Sequence, residues 1–538
     1  VKRISPVVTL CLVAAFTGCS VGDDQQSGPK DGDSGGAGGT AHVALYTQPT
    51  TFSPIVTISG ADQLVQQLQW DPLFAVDTGG ELVPRLAGSW KPNADATQWT
   101  ITLRDDVTWS DGEPITGEDV AFTFEVYADP STGSLSTARF ANIAGVAEYT
   151  AGKADSISGI TVDGQTVTVD LVNPQASFAL GIAEPIVPVL PEHTLDALPR
   201  KDLATSKFFR EPSVGSGPYV FDHWVNDDKV AFIANQHYRD ELALEGVDAT
   251  FLDSDVAEAQ IQTGEIDYAQ ISAAAAEDLS GASGVEVLSA TGGSIMGLHS
   301  ALESGLLGDV RVRQAIMYAI DRQALVDTVL AGHGQVINTI AFGPNADVPS
   351  DVDTYAYDPD RARELLKEAG WDPSKKVRLE IIPGLRDREQ VVDIVAGQLR
   401  EVGIDAEVKR FDQAGLTTAI GDRDFDLTIS GYGFFNGDPS SMAARVRCDL
   451  FAPNGSNLVH YCNEDLDQLL EDAEATTDDQ KRAAIYEQAQ DIVNRDVPII
   501  LLFAPDALAA TSSAFHGFEL NPLPNQAFWN AAEWSKEG

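Results

Sequence analysis

Apolar and polar residues alternate at Trp99, Ile101 and Leu103, and again at Val167, Val169 and Leu171 after the Asp163-Gly164 turn signal. A period of two turns one side of each segment toward a core, so both are predicted to be half-buried strands. Between them, Thr116-Gly117-Glu118-Asp119 carries the polar residues of a helix start, and Val120, Phe124 and Tyr127 then fall on one helical face. Residues from about 77 to 208 therefore read as an α+β unit.

Further along, strand and helix patterns alternate. Val377, Leu379 and Ile381 mark a strand. Val391, Ile394, Val395, Leu399 and Val402 repeat at helical spacing and stop at Gly403, Ala406 and Val408 open another strand, and Leu427 and Ile429 lie in a third. Such alternation predicts parallel strands joined by crossover helices. Two helices precede this region. Asp309 caps one whose stripe is Val312, Ala315, Ile316, Ala319 and Ile320, and Asp358-Pro359 starts another that runs through Leu365 and Leu366 to Gly370. No repeat of solenoid period is present.

The chain opens differently. Lys2 and Arg3 precede a mostly apolar run, Ile4 to Phe16, that ends in Phe16-Thr17-Gly18-Cys19. This pattern marks an export signal, and its end resembles the lipobox of bacterial lipoproteins, with Cys19 as the lipidated residue; a plain secretory signal is the alternative. Asp23 to Thr40 is Gly, Ser, Asp, Gln, Pro and Lys apart from Ala37 and Thr40, with little that can enter a core, a tether reaching on the order of 25 Å as a random coil. The tether contains Gly-Asp-Ser-Gly-Gly, the surroundings of a protease nucleophile. Ser34 has no histidine upstream to take its proton, since the first histidine is His42, and the hydrolase reading fails.

Charge and cysteines narrow the function further. The 538 residues hold 81 acidic against 35 basic side chains, a formal net charge of −46, which argues against a nucleic-acid partner, whose phosphates would be repelled. No second apolar stretch approaches the length of a membrane span, so contact with a membrane is expected through the anchor alone. Cys11 leaves with the signal and Cys19 carries lipid, which leaves Cys448 and Cys462. In an oxidising compartment a bridge between them closes a 15-residue loop and stabilises by roughly 3 kcal/mol, two buried thiols being the alternative. The eight histidines are scattered, with no His-Glu-x-x-His, no Cys-x-x-Cys and no Gly-x-x-x-x-Gly-Lys, so no metal, cofactor or catalytic residue is assigned.

One long segment, PRLAGSWKPNADATQWTITLRDDVTWSDGEPITGEDVAFTFE (Pro84 to Glu125), resembles the signature region of the family 5 extracellular solute-binding proteins, the peptide, nickel and oligosaccharide receptors of ABC importers. VGSGPYVFDHW (Val214 to Trp224), DVRVRQAIMYAIDRQALVDTVLAGHG (Asp309 to Gly334), YDPDRARELLKEAGW (Tyr357 to Trp371), QLREVGIDAEVK (Gln398 to Lys409) and YEQAQDIVNRDVPIILLF (Tyr486 to Phe503) match in the family's order. The resemblance implies an α/β, two-lobed periplasmic-binding-protein-like fold (type II, cluster C) with an extra α+β domain. Residues 1–19 would be signal and lipobox and 20–40 the tether. Lobe I would be 41–76 with 209–290 and 505–538, the extra domain 77–208, and lobe II 291–504. The implied activity is binding without turnover: a monomeric lipoprotein at the outer face of the cell membrane hands its ligand to permease subunits. Oligopeptides lead as ligand, oligosaccharides follow, and sensing or adhesion on the same fold is the non-transport alternative.

The resemblance also implies a site. SGYGFFNGDPS (Ser430 to Ser440) matches the relatives' ligand strand, where Gly431 and Gly433 leave backbone open and Tyr432, Phe434 and Phe435 offer apolar area beside Asn436. Three aromatics beside a strand are equally explained as core. Peptide carriers of the family place an aspartate where this chain has Phe435, which argues against strict recognition of a free α-ammonium. Asp438 stands three residues on, in a turn with Pro439. Trp70 and Asp71 match the first lobe's contribution, with Asp71 a candidate cation anchor or a turn residue before Pro72, and His299 replaces a common asparagine.

Overall fold

A computed structural model describes residues 38–537, apart from 58, 184–186, 342–348, 350, 385, 434–436 and 453–454. The leader, with Cys19 and Ser34, and Phe434, Phe435 and Asn436 lie outside the described residues. Among the described residues no helix is long and apolar enough to cross a membrane.

Alternation produces the expected strands. Gln98–Leu103 buries Trp99, Ile101 and Leu103 and pairs antiparallel with Thr166–Asp170, setting Trp99 opposite Val169 and Ile101 opposite Val167. With Ala87–Pro92 and Ile160–Asp163 they make a four-stranded sheet. The helix Gly117–Ala128 packs on it and starts at a carboxylate cap, Asp119 accepting the Thr116 N–H (2.9 Å) and hydroxyl (3.2 Å). The core of this unit also takes in Ile55, Trp70, Leu73 and Leu523 from segments before and after it, so it is welded to the body those segments belong to.

That body is built on a seven-stranded sheet whose order is Val285–Ala290, Ala507–Ser512, Tyr268–Gln270, Thr40–Leu45, Gly246–Phe251, Lys229–Ala234 and Tyr219–Val225. A second body carries a six-stranded sheet, ordered Gly334–Val336, Ile499–Pro505, Ser294–Ser300, Leu427–Gly433, Lys376–Ile381 and Asp405–Arg410. Lys376–Ile381 runs parallel to both neighbours, as the alternation predicts. Leu427–Gly433 pairs antiparallel with Ser294–Ser300, so the sheet is mixed. The predicted helices are Val310–Ala319, Pro359–Glu368 and Arg386–Glu401, the last stopped by Gly403 at φ +92°. Cys448 and Cys462 are bonded to each other in this body.

The chain passes between the two bodies at two points, residues 291–293 and Asp506. Ala290 pairs with Ala507 on one side and Met296 with Phe503 on the other, so the two passages run side by side. The Asp506 carboxylate spans them, accepting hydrogen bonds from Ser289 Oγ (3.2 Å) and Thr291 Oγ1 (3.0 Å). Gly293 has φ +82°, and a Cβ there would collide with the Pro522 carbonyl, so only glycine fits the first passage.

Candidate ligand-binding cleft

Leu427–Gly433 is anchored at its start by buried Leu427, Thr428 and Ile429, then thins to Ser430, Gly431, Tyr432 and Gly433. Ser294–Ser300 pairs along its whole length, Gly433 opposite Ser294 and Leu427 opposite Ser300. On the other edge Lys376–Ile381 reaches only Leu427 and Thr428. From Ile429 onward that edge has no partner strand among the described residues, and its backbone N–H and C=O groups are available to an added strand.

A cavity of about 490 Å³ opens along this segment between the two bodies. Its walls combine Gly431, Tyr432 and Gly433 with Ser294, Ile295 and Met296, the passage residues Gly292 and Asp506, and, from the seven-stranded side, Tyr268, Gln270 and residues 520–527. Arg388 and Asp506 are the charged residues of its described lining. Asp506 is engaged by two hydroxyls. Arg388 has no carboxylate within ion-pair range among the described residues, and its Nη2 lies 3.5 Å from the point where a Cβ on Gly431 would sit. Burial lowers its pKa, but a guanidinium remains cationic at neutral pH. It also stands in the first turn of Arg386–Glu401, where the helix dipole adds positive potential.

Behind the wall, the Tyr432 hydroxyl and His299 Nδ1 share a hydrogen bond of 3.1 Å, and their rings stack at 4.6 Å. The Arg445 guanidinium covers the Tyr432 ring at 4.3 Å. Burial first, and the nearby Arg445 charge second, push the His299 imidazole down to about 3, so it is neutral. His299 therefore supports Tyr432 from behind the cavity wall.

The remaining sequence-predicted residues lie elsewhere. Trp70 is buried against Phe208, beside a small cavity of about 30 Å³. Asp71 is held by Arg239 Nη1 at 2.6 Å, both side chains buried, and borders a different cavity, of about 480 Å³. Its charge is already neutralised, which is not the arrangement of an open cation anchor. Asp438 receives both Nη atoms of Arg482 at 2.7 Å and the Ser440 N–H at 2.8 Å. Burial alone would raise its pKa, but the guanidinium more than offsets this and holds the carboxyl below its ordinary value. Among the described residues no cluster of His, Cys, Asp or Glu is placed to hold a metal ion.

Arg388 and the 520–527 segment escaped the sequence reading. The usable signal was position: Arg388 follows the carboxyl end of a parallel strand, where open α/β sheets place ligands.

The family model of the bacterial extracellular solute-binding proteins, family 5 Middle, matches residues 81–448. The chain belongs to that family. The family 5 chain is 29% identical over 487 residues to a putative ABC transporter peptide-binding protein of Brucella ovis, covering 88% of each. It is 29% identical over 538 residues to Protein XP55 of Streptomyces lividans, covering 96% of this chain and 92% of that one. Among solved structures, the ABC transporter substrate binding protein CtaP of Listeria monocytogenes matches with a TM-score of 0.81 at 24% identity, over 93% of this chain and 99% of that one. The oligopeptide-binding protein AppA of Bacillus subtilis, solved in complex with a nonapeptide, matches at 0.76 and 23% identity, over 94% and 100%. The fold of this family 5 protein is accordingly the two-lobed one of periplasmic binding proteins, and the seven- and six-stranded bodies are its lobes.

Proposed function

We propose that the protein captures peptides outside the cell and delivers them to an ABC importer, tethered to the membrane by a lipid on Cys19 and acting as a monomer. The observation that carries this reading is the edge of residues 429–433, which has no partner strand among the described residues, beside the Arg388 guanidinium, which has no carboxylate partner among them. An extended ligand adds a strand to that edge, its main chain satisfying the exposed N–H and C=O groups while side chains enter the cavity. Its C-terminal carboxylate pairs with Arg388, an ion pair strengthened by partial desolvation. Phe435 stands where peptide-binding relatives place the aspartate for the α-ammonium, so a free N-terminus is not required.

The peptide-binding names of the relatives point the same way. An oligosaccharide would need open aromatic faces, and the described rings lining the cavity, Tyr268 and Tyr432, are both buried. Native mass spectrometry of protein purified from its own cells tests the reading. A mass increment that resolves into a peptide mixture is expected; a ladder of hexose spacing, or a product formed from the bound molecule, overturns it.

A further inference from the structure

Glu474 ends the helix Glu464–Glu474 in the six-stranded lobe. Its carbonyl accepts the Ala176 N–H (2.8 Å), and its Oε2 accepts the Ser177 N–H (3.2 Å) and hydroxyl (2.7 Å). Ala176 and Ser177 belong to the unit of residues 77–208, which shares its core with the other lobe and is stitched to it by Ala87 N–H to the Leu73 carbonyl (3.0 Å) and Ser110 N–H to the Gly215 carbonyl (2.9 Å). Away from the two passages, these three are the hydrogen bonds that join the lobes among the described residues.

The other carboxylate oxygen of Glu474 faces inward, accepting from the Tyr486 hydroxyl at 3.1 Å with Arg482 Nη2 at 3.6 Å. Arg482 in turn grips Asp438 through both Nη atoms, and Asp438 caps the turn Pro439–Met442 that follows the ligand segment. One carboxylate thus touches the opposite lobe on one side and, through Arg482 and Asp438, the turn Pro439–Met442 on the other.

We propose that Glu474 is a clasp for the closed lobes. Opening the cleft separates Ser177 from Glu474, so the bonds between them exist in the closed form alone and bias the equilibrium toward it. Charged hydrogen bonds are the stronger kind, and here one carboxylate makes two of them to a single residue. The clasp touches no ligand, so it lengthens the residence of every ligand without ranking them. The inference rests on the reading of the two bodies as lobes that close on a peptide.

The test is a double-mutant cycle on the full chain with Glu474→Ala, Ser177→Ala and both together. A dye-labelled pentapeptide pool gives release rates by stopped flow, and small-angle scattering without peptide gives the radius of gyration. Glu474→Ala is expected to speed release about tenfold, ~1.4 kcal/mol, and to enlarge the ligand-free particle while the melting temperature moves little. Ser177→Ala speeds release less, and the double variant matches Glu474→Ala alone. Unchanged release in Glu474→Ala, or effects that simply add, overturns the clasp and leaves the peptide reading standing. If no member of the pool binds, the peptide reading fails by itself and scattering decides the clasp, an unchanged radius of gyration in Glu474→Ala overturning it. Should Glu474→Ala not fold, unchanged release and size in Ser177→Ala overturn it.

Discussion

Arg388 reaches over Gly431, its Nη2 3.5 Å from where a side chain on that glycine would begin, so a cation and a bare stretch of strand edge face the same cavity. Gly431 is kept open for contact rather than for backbone geometry. A Cβ at this position would meet Arg388 Nη2, the Ile295 carbonyl and Met296 Cε all at 3.5 Å, which is ordinary contact. Gly431→Val is therefore expected to fold with little change in melting temperature while peptide affinity falls by about tenfold or more, ~1.4 kcal/mol, as read by titration calorimetry.

Arg388→Gln removes the proposed partner of the ligand carboxylate without opening the core. Affinity for peptides ending in a free carboxylate should drop by about 2 kcal/mol, the worth of a charged hydrogen-bonded contact. C-terminally amidated peptides should bind the parent and the variant alike. Calorimetry with the two peptide forms on the two proteins reads the difference directly.

Asp71 is a structural residue in this architecture. Asp71→Asn leaves the buried Arg239 with the more exposed Asp240, 3.3 Å from its Nε, as its remaining carboxylate and should destabilise the fold by about 3 kcal/mol, measured by urea unfolding. Peptide affinity of the folded fraction should stay within twofold of the parent, whereas a ligand-anchoring role would lower it strongly.

His299 makes stability depend on pH. Its folded pKa, pushed down to about 3, lies below the ordinary value of 6.5, so between these values the unfolded chain binds the proton that the folded chain refuses. The stabilisation is fully present above pH 6.5 and is lost as pH falls toward 3, by a few kcal/mol in all, ~1.4 per pH unit. His299→Asn should flatten that part of the profile when urea midpoints of parent and variant are compared between pH 7 and pH 4.

Local pattern made much of the fold legible. Trp99, Ile101 and Leu103 announce their strand because burial on one face writes a period of two into the chain, and Asp309, Asp358 and Gly403 mark helix ends through bonds made within a few residues. The segment Ser430 to Ser440 was singled out by the family resemblance, and its Gly431, Tyr432 and Gly433 line the cavity. What stayed hidden depends on distant partners: Arg239 lies 168 residues from Asp71, Arg482 lies 44 from Asp438, and nothing local distinguishes a carboxylate already paired from one waiting for a ligand. The antiparallel union of Ser294–Ser300 with Leu427–Gly433 was hidden for the same reason, since a strand's own pattern does not record its neighbour's direction.

The twin passages at residues 291–293 and Asp506 have a mechanical meaning. Two straps lying abreast, tied across by one carboxylate, permit rocking about the line they share and resist shear and twist. Whatever the cargo's sequence or size, the state of the interior is thereby reduced to a single outward variable, the width of the mouth. A membrane complex that gauges this width learns whether the carrier is loaded without ever inspecting what it holds.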